Sequence, residues 1–283
     1  QIDNKTGMDA AEQLSEIFRA VAPLYKKRDK IYREVAGLLC EKGIAHPQME
    51  SLTAEERSFA EKYFIADVLP VLSPQIINAH HPFPHLVNKA LYILLQMKIS
   101  DKTAYGIIPM PAMQDRLIFL PGSGMRYVLL EELIYQYAER VFDNCEINAK
   151  SIICVTRNAD INVDSLPDED EDFRHHMKKV LRKRSRLAPV RLEHCGPIHD
   201  KLEKFLRGKL ELKKEQVFQS SAPLEMSYVF PLLDKVPDRI RQAVTYVPFE
   251  PQVPLWFKTG DSMIDKVMQE DLILSYPYEQ MTP

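Results

Sequence analysis

The sequence LPVLSPQIINAHHPFPHLVNKALYILLQMK, from Leu69 to Lys98, combines a proline-rich connector with a long apolar run. Proline fixes its own φ at about −65° and disfavours the helical region for the residue before it. The residues expected to be extended for this reason are Leu69, Ser73, His81 and Phe83. We therefore predict that a helix ends near Val68, that a rigid connector follows, and that a buried strand starts near Leu86.

Two helices are predicted before this connector. The first stops at Gly43, because glycine is favoured just past a helix C-terminus, and Pro23 should kink it or split it in two. The second opens with the capping box Thr53-Ala54-Glu55-Glu56 and ends before Pro70. The apolar residues at helical spacing are Ala10, Leu14, Ile17, Phe18, Val21, Leu24, Tyr25, Tyr32, Val35, Leu38 and Leu39 in the first helix, and Phe59, Tyr63, Phe64 and Val68 in the second.

After the connector the sequence takes on the pattern of strands. Short apolar runs are separated by turn-forming breaks such as Gly122-Ser123-Gly124, and the short links favour antiparallel neighbours. Residues 151–156 and 160–164 are predicted to form a hairpin across Arg157-Asn158-Ala159. The other predicted strands are 90–99, 105–108, 117–120, 127–130, 190–193, 217–218 and 272–274. Helices are predicted at 131–142, 167–187, 198–206, 224–233 and 262–269, with a proline-rich connector at 246–257.

The predicted fold class is therefore α+β, with N-terminal helices followed by a mainly antiparallel sheet and packed helices. The formal charge of −3 argues against a protein that binds polyanions with its whole surface. Four separated cysteines without a CxxC pair favour reduced thiols in a cytoplasmic protein. No apolar run approaches the ~20 residues of a transmembrane segment, and no signal peptide is expected.

Histidines are the first candidates for a functional site. His80, His81 and His85 are close in sequence, and His175-His176 form a second pair. A zinc site normally shows a pattern such as HExxH or CxxC, and neither is present. We therefore predict no metal site, with a metal hydrolase that uses the first three histidines as the weaker alternative.

A helix with segregated charge is the second candidate. Five acidic residues, Asp168 to Asp172, precede a basic run between Arg174 and Arg186. The run can bind a polyanion such as polyphosphate, a nucleotide or nucleic acid. It can equally reflect the helix dipole, which favours acids at the N-terminus and bases at the C-terminus. We favour the dipole interpretation, and the two are compatible.

Catalytic motifs are missing from the sequence. There is no GxxxxGK(S/T) loop, no GxGxxG and no GxSxG. Residue patterns alone therefore predict no complete active site in this chain.

Several stretches, taken together, resemble one known family. They are PVLSPxxxxxxHPFPHLVN in the connector, LCEKGI (39–44), LTAEERSFAEKYF (52–64), LEELIYQYAERVF (130–142), VTRNADINVD (155–164), PVRLE (189–193) and MIDKVMQEDLILSYPYEQM (263–281). In this order they resemble bacterial polyphosphate kinase, a family that transfers the terminal phosphate of ATP reversibly to polyphosphate. The resemblance covers nearly the whole chain.

The resemblance implies that this chain is a fragment. Residues 1–45 would be the end of the helical N-terminal domain, 46–245 the head domain, and 246–283 a connector and the start of the first catalytic domain. The family's catalytic domains are related to the phospholipase D fold. The phosphate-accepting histidine, with its arginines and magnesium site, would follow Pro283, so no histidine here is nominated as the nucleophile. Mg²⁺ and ATP would serve the parent enzyme and not the fragment.

The resemblance also implies a role for the fragment. The head domain contributes to dimer contacts and to the tunnel around the active site in the family. The residues that would face polyphosphate are Lys178, Lys179, Arg182, Lys183 and Arg186. We expect a homo-oligomeric parent enzyme that is cytoplasmic, whose complex can associate with a membrane without a transmembrane segment, and that has no nucleic acid as partner. Residues after about Phe249 should pack loosely.

A protein of another class remains an alternative. It is a stand-alone scaffold that dimerises or binds a polyanion without chemistry. A reading frame that continues for about 400 residues with a phosphotransfer histidine would favour the kinase, and an early stop would favour the scaffold.

Overall fold

The chain folds into two compact units, residues 1–236 and 237–283. The computed structural model describes residues 5–78, 81–99, 102–142, 145–158, 188–258 and 262–280. Among these, the helices of the first unit are α1 (Ala10–Glu41), α2 (Ala54–Tyr63), α3 (Leu130–Gln136), α4 (Asp200–Leu210) and α5 (Val229–Lys235). Its strands are β1 (Ile44–Ala45), β2 (Gln75–Ile77), β3 (Leu91–Ile99), β4 (Lys102–Pro109), β5 (Leu117–Phe119), β6 (Met125–Leu129), β7 (Glu146–Arg157), β8 (Pro189–Cys195) and β9 (Val217–Ser220). The predicted α+β class is confirmed.

Helix α1 runs without a break through Pro23 for 32 residues. The predicted split is therefore wrong, because a single missing N–H donor is outweighed by the capping box of Asp9 with Glu12 and by packing further along. Tyr25 is buried and stacks on Phe218 of β9, with ring centroids 4.7 Å apart. The helix ends at Glu41, and Gly43 has a φ of +84°, as its predicted capping role requires.

The connector after α2 begins differently from the prediction. Leu69 is helical, with φ −53° and ψ −42°, where an extended residue was expected. A π-helical turn (Phe64–Val68) is followed by a 3₁₀ turn (Leu69–Val71). Pro70 lies in the first turn of that 3₁₀ helix, where its missing N–H needs no partner.

The buried strand after the connector starts at Leu91, and not near Leu86 as predicted. Leu86 is fully buried in a loop, so its apolar character reflects packing rather than strand formation. The short edge strand β2 was not predicted. Its three residues are held by antiparallel pairing with β4, which is a contact between distant parts of the sequence.

Two sheets organise the first unit. The larger has the order β2-β4-β3-β7-β8-β9, and every neighbouring pair is antiparallel except β8 with β9. The smaller has the order β1-β6-β5, with β1 parallel to β6. The prediction of antiparallel neighbours is confirmed for β3 with β4 and for β5 with β6.

The predicted hairpin of 151–156 with 160–164 is wrong where the structure describes it. Cys154 pairs with Leu91 of β3 on one edge of β7 and with Glu193 of β8 on the other. A strand has only two edges, so neither is left for a hairpin partner at this position. Residues 160–164 themselves lie outside the described residues, as does the predicted helix 167–187.

Hydrophobic cores lie on both faces of the larger sheet, because successive strand residues point to opposite sides. One core joins alternate β3 residues, such as Leu91 and Ile93, to α2 and α3. The other joins Tyr92 and Leu94 to one face of α4. The α4 residues that pack there are Leu202, Leu206 and Leu210.

The second unit has little buried surface of its own. It contains α6 (Asp238–Val244) and α7 (Met263–Gln269), and the isolated pairing of Gln252 with Glu279. Helix α6 was not predicted, and the strand predicted at 272–274 is not formed. Ile273 is 87% exposed, so the apolar character of this stretch does not reflect pairing in a sheet. No helix among the described residues combines the length and apolar character needed to cross a membrane.

Candidate functional site

The basic residues predicted to face polyphosphate (178, 179, 182, 183 and 186) lie outside the described residues. The chain that carries them leaves the sheet at Asn158 and returns at Ala188. The Asn158 N–H donates a hydrogen bond to the Ala188 carbonyl at 3.1 Å. The two ends of this segment are therefore held together where β7 ends and β8 begins.

The histidine cluster is only partly described. His80 lies outside the described residues, and the Nδ1 of His81 is 3.3 Å from Oδ1 of Asn78. Among the described residues, no three His, Cys, Asp or Glu side chains are grouped so that they could hold a metal ion.

Three of the sequence stretches noted above meet at one end of the large sheet. Asn88 Oδ1, in the loop before β3, accepts the backbone N–H of Arg157 at 2.9 Å. Arg157 Nε donates to the Leu86 carbonyl at 2.7 Å. The Lys89 N–H donates to the Val155 carbonyl at 2.8 Å. The proline-rich connector is thereby fixed to the end of β7.

The neighbouring strand β8 adds an arginine and a glutamate. Arg191 lies opposite Thr156 in the β7–β8 register, and its Nε and Nη2 lie 3.2 and 3.0 Å from the Thr156 hydroxyl oxygen, which accepts both hydrogen bonds. Its Nη2 is also 3.3 Å from Glu193 Oε2. Glu193 is 5% exposed, and a buried carboxyl group requires polar partners such as these.

Helix α1 supplies the other partners of Glu193. The Tyr25 hydroxyl donates to Glu193 Oε1 at 2.7 Å, and Arg28 Nη1 lies 3.6 Å from the same oxygen. Burial, followed by this hydrogen bond, raises the pKa of Tyr25 above its ordinary value of 10.0, which keeps the phenol protonated as a donor. The Arg28 guanidinium lies 4.7 Å from the centroid of the Tyr25 ring.

Two nitrogens of the Arg28 guanidinium, Nε and Nη2, are buried and lack hydrogen-bond partners among the described residues. Asp29 Oδ1 is 3.7 Å from Nε, beyond hydrogen-bonding distance, and the Asp29 carboxylate instead accepts hydrogen bonds from Ser220 and Ser221. An arginine in this state gains from any new acceptor that its side chain can reach.

These groups line a cleft of about 450 Å³ between α1 and the end of the sheet. Its apolar lining residues include Val21, Leu24, Leu224 and Met226. Its charged lining residues are Arg28, Lys89, Arg191, Glu193 and Glu225. Burial raises the pKa of Cys154, which also lines the cleft, to about 12, so its thiol is not an activated nucleophile. The cleft is suited to binding rather than to covalent catalysis.

A second polar network connects α1, the segment after β1, and α3. His46 is hydrogen-bonded through Nδ1 to the Tyr32 hydroxyl at 2.8 Å and through Nε2 to Glu132 Oε2 at 2.7 Å. Its ring also stacks on Tyr127, with centroids 4.9 Å apart. Burial raises the pKa of Tyr32 to about 12, so this network is a structural contact rather than a source of a tyrosinate nucleophile.

Sequence reasoning missed Arg28, Lys89 and Arg191 as a group. Lys89 and Arg191 occur inside quoted stretches, but their proximity depends on sheet pairing. Arg28 had a recognisable signal, because it is the one charged residue in an apolar series with alternating spacings of three and four. That series is Leu14, Ile17, Val21, Leu24, Arg28, Ile31, Val35 and Leu38.

Comparison with known proteins shows what this fold is similar to. A family model described as the polyphosphate kinase middle domain matches residues 55–232. A polyphosphate kinase of Bacillus cereus is 30% identical over 294 residues, covering 100% of this chain and 41% of the relative. One from Pseudomonas putida is 27% identical over 241 residues, covering 82% of this chain and 32% of the relative.

A solved structure supports the same fold. The crystal structure of polyphosphate kinase from Porphyromonas gingivalis matches with a TM-score of 0.70 at 17% identity, covering 95% of this chain and 40% of that chain. The chain therefore spans no more than 41% of the length of these three relatives. Because the family model matches more than half of its residues, the chain belongs to the polyphosphate kinase family.

Proposed function

We propose that the whole protein transfers the terminal phosphate of ATP reversibly to polyphosphate, and that Gln1–Pro283 is a supporting part of that enzyme without its reacting groups. The observation that carries this proposal is the family match over residues 55–232, in a chain that spans 41% of a related polyphosphate kinase. In this proposal a histidine outside these residues accepts the phosphate, with ATP and Mg²⁺ bound by the catalytic part.

The chemistry of phosphoryl transfer is consistent with that division. The transition state spreads negative charge over the transferred oxygens, and enzymes stabilise it with metal ions and dense positive charge. The chain carries a formal charge of −3, and the Cys154 thiol in its cleft is held protonated by burial. These features argue against this part of the enzyme carrying out the chemical step itself.

The supporting part has two proposed roles. It contributes to the contact between two copies of a cytoplasmic enzyme, and it presents basic residues to polyphosphate. The five residues of the second role are Lys178, Lys179, Arg182, Lys183 and Arg186. Their segment begins and ends beside Thr156 and Arg191, where Asn158 is bonded to Ala188.

An assay of ATP-to-polyphosphate transfer, run on this chain beside the whole protein, tests the proposed division. We expect the whole protein to lengthen polyphosphate and to form an acid-labile phosphohistidine, and this chain to do neither. A phosphorylated histidine on the chain alone would contradict the assignment of the reacting groups. A whole protein that binds polyphosphate without transfer would favour the stand-alone scaffold instead.

The basic residues are tested separately in the whole protein. Replacing the five with glutamine should weaken polyphosphate binding and reduce the slope of log affinity against log salt, because fewer counterions are released. Unchanged affinity and an unchanged slope would remove these residues from the proposal while leaving the transfer activity standing.

A further inference from the structure

We propose that the cleft between α1 and the ends of β7 and β8 is a binding site for a short phosphate chain. The proposal relies on the proposed function only for the source of the phosphate. Its physical basis is a charged lining with excess positive charge, an arginine with two nitrogens that lack hydrogen-bond acceptors, and an exposed lysine in an unusual backbone conformation.

The charge balance of the cleft favours an anion. Its lining has three cations, Arg28, Lys89 and Arg191, and two carboxylates, Glu193 and Glu225. Glu225 is already bound by Arg116, which donates from Nη1 at 2.5 Å, and Glu193 is shared by Tyr25 and both arginines of the cleft. No described carboxylate forms an ion pair with Lys89, so the positive charge of this amine is uncompensated in the cleft.

Arg28 gives the site its geometry. Its unsatisfied Nε and Nη2 are buried where the side chain now lies, so rotation of its terminal torsions into the cleft is required before they can bind a ligand. A buried charged group whose N–H donors have no hydrogen-bond acceptor raises the free energy of the folded state. Rotation of the Arg28 side chain towards an acceptor in the cleft is therefore favoured. The planar guanidinium matches the spacing of two oxygens on one phosphate.

Lys89 supplies the second contact from the rim. Its φ of +59° is uncommon for a residue with a side chain, and the conformation is held by its backbone hydrogen bond to Val155. Such strain destabilises the fold locally and often marks a functional position. Glycine would adopt this φ without strain. The backbone conformation therefore does not account for a lysine at this position.

The cleft also lies next to the start of the basic segment. Thr156, which binds Arg191, is two residues before Asn158, where the described part of β7 ends. Ala188, where the chain is described again, is three residues before Arg191. A phosphate chain bound by Arg28 and Lys89 would therefore lie beside both ends of the segment that carries the five basic residues.

Isothermal titration of the 283-residue chain with tripolyphosphate tests this site. We expect Lys89→Gln and Arg28→Gln each to weaken binding by about tenfold, as loss of one charge-assisted hydrogen bond predicts. The matched control is Lys201→Gln, because Lys201 is an exposed lysine on α4, which packs against the opposite face of the sheet. Equal losses in all three variants, or no loss at Lys89 and Arg28, would overturn the proposal.

Lys89→Gly distinguishes the contribution of the Lys89 amine to binding from the effect of its strained backbone on stability. This variant removes the amine and also relieves the positive φ, so its free energy of unfolding should be unchanged or higher while tripolyphosphate affinity still falls. Weaker binding with lower stability would attribute the effect to damage of the fold, and would count against the site.

A parallel titration with ATP identifies the source of the phosphate. Tighter binding of ATP than of tripolyphosphate, lost in the same variants, would assign the site to a nucleotide whose base contacts the apolar lining residues. Equal or weaker binding of ATP would assign it to inorganic phosphate chains. If the whole protein transfers phosphate while these variants bind normally, only the cleft proposal fails.

Discussion

Gly106, in the middle of β4, occupies a position where the core has no space for a side chain. A Cβ atom there would lie 2.4 Å from Met97 Cε and 2.8 Å from Phe142 Cζ. Both neighbours are buried, so neither can move away without disturbing the packing. We predict that Gly106→Ala lowers the free energy of unfolding by about 1–3 kcal/mol, measured by urea denaturation.

Gly208 provides the control for this substitution. It lies in α4, where an added Cβ meets nothing within 4 Å. Because alanine is favoured over glycine in a helix, Gly208→Ala should stabilise the chain by about 0.5–1 kcal/mol. A Gly106→Ala variant as stable as the parent chain would show that Met97 and Phe142 adjust freely.

Glu56 carries a pH dependence of stability. It is 3% exposed, and the hydrogen bond from Arg126 lowers its pKa below 4.5, with the two bonds to Thr53 acting in the same direction against burial. A lowered pKa in the folded state stabilises the fold above the unfolded value, and this contribution is lost as pH falls through the folded value. We predict that Glu56→Gln is less stable at pH 7 by about 1–3 kcal/mol.

Unfolding curves at a series of pH values check this sign. The stability difference between Glu56→Gln and the parent chain should shrink as pH falls below 4.5. A difference that is constant from pH 7 to pH 3 would mean that the carboxylate charge contributes nothing.

At the scale of the element, the sequence predicted those helices and strands that are determined by residues close together in the chain. The helix that starts at Thr53 was predicted because its capping box is a local pattern, and both bonds of that box are present. The hairpin after Thr156 was wrong because strand pairing is decided by distant partners, here β3 and β8. The three residues of β2 were missed for the same reason, since only β4 makes them a strand.

The contact of α1 with α3 through His46 gives a prediction at this scale. His46→Ala removes the hydrogen bonds to Tyr32 and Glu132 and the stacking on Tyr127. We expect the free energy of unfolding to fall by about 3 kcal/mol, because each of the three contacts contributes about 1 kcal/mol. Hydrogen exchange of the α1 amides should accelerate more than that of the central strands.

Tyr32→Phe is the matched variant, because it removes one of the three contacts of His46, together with the longer hydrogen bond that the Tyr32 hydroxyl accepts from Tyr228 at 3.4 Å. We expect it to cost about 1 kcal/mol in urea unfolding. If His46→Ala costs no more than Tyr32→Phe, then the bond to Glu132 and the stacking on Tyr127 contribute nothing to the attachment of α1.

At the scale of the whole molecule, the candidate site was only partly predictable. The loop that ends at Asn88, directly before Lys89, and the strand with Arg191 were both singled out by resemblance, whereas their proximity required the pairing of β7 with β8. Arg28 reaches the same cleft because Tyr25, one turn earlier on α1, stacks on Phe218. Spacing along the chain does not contain this information, since it arises from the packing of a helix on a sheet.

The division into two units gives a prediction for truncation. Both hydrophobic cores are built from residues between Met49 and Leu224, within the first unit. A chain that ends at Val236 should therefore unfold cooperatively, with a transition midpoint close to that of the 283-residue chain. Circular dichroism during urea denaturation measures this. Loss of the cooperative transition would show that residues 237–283 are needed for the fold of the first unit.

The hydrogen bond between Asn158 and Ala188 has a consequence for protein engineering. It joins the end of β7 to the start of β8, at the two points where the basic segment leaves and rejoins the sheet. The pairing of these two strands therefore extends up to the junction. A short glycine-asparagine turn grafted across this junction would delete every residue from 159 to 187 in one step. This one backbone hydrogen bond thus marks the boundary between the paired strands, which such a deletion would keep, and residues 159–187, which it would remove.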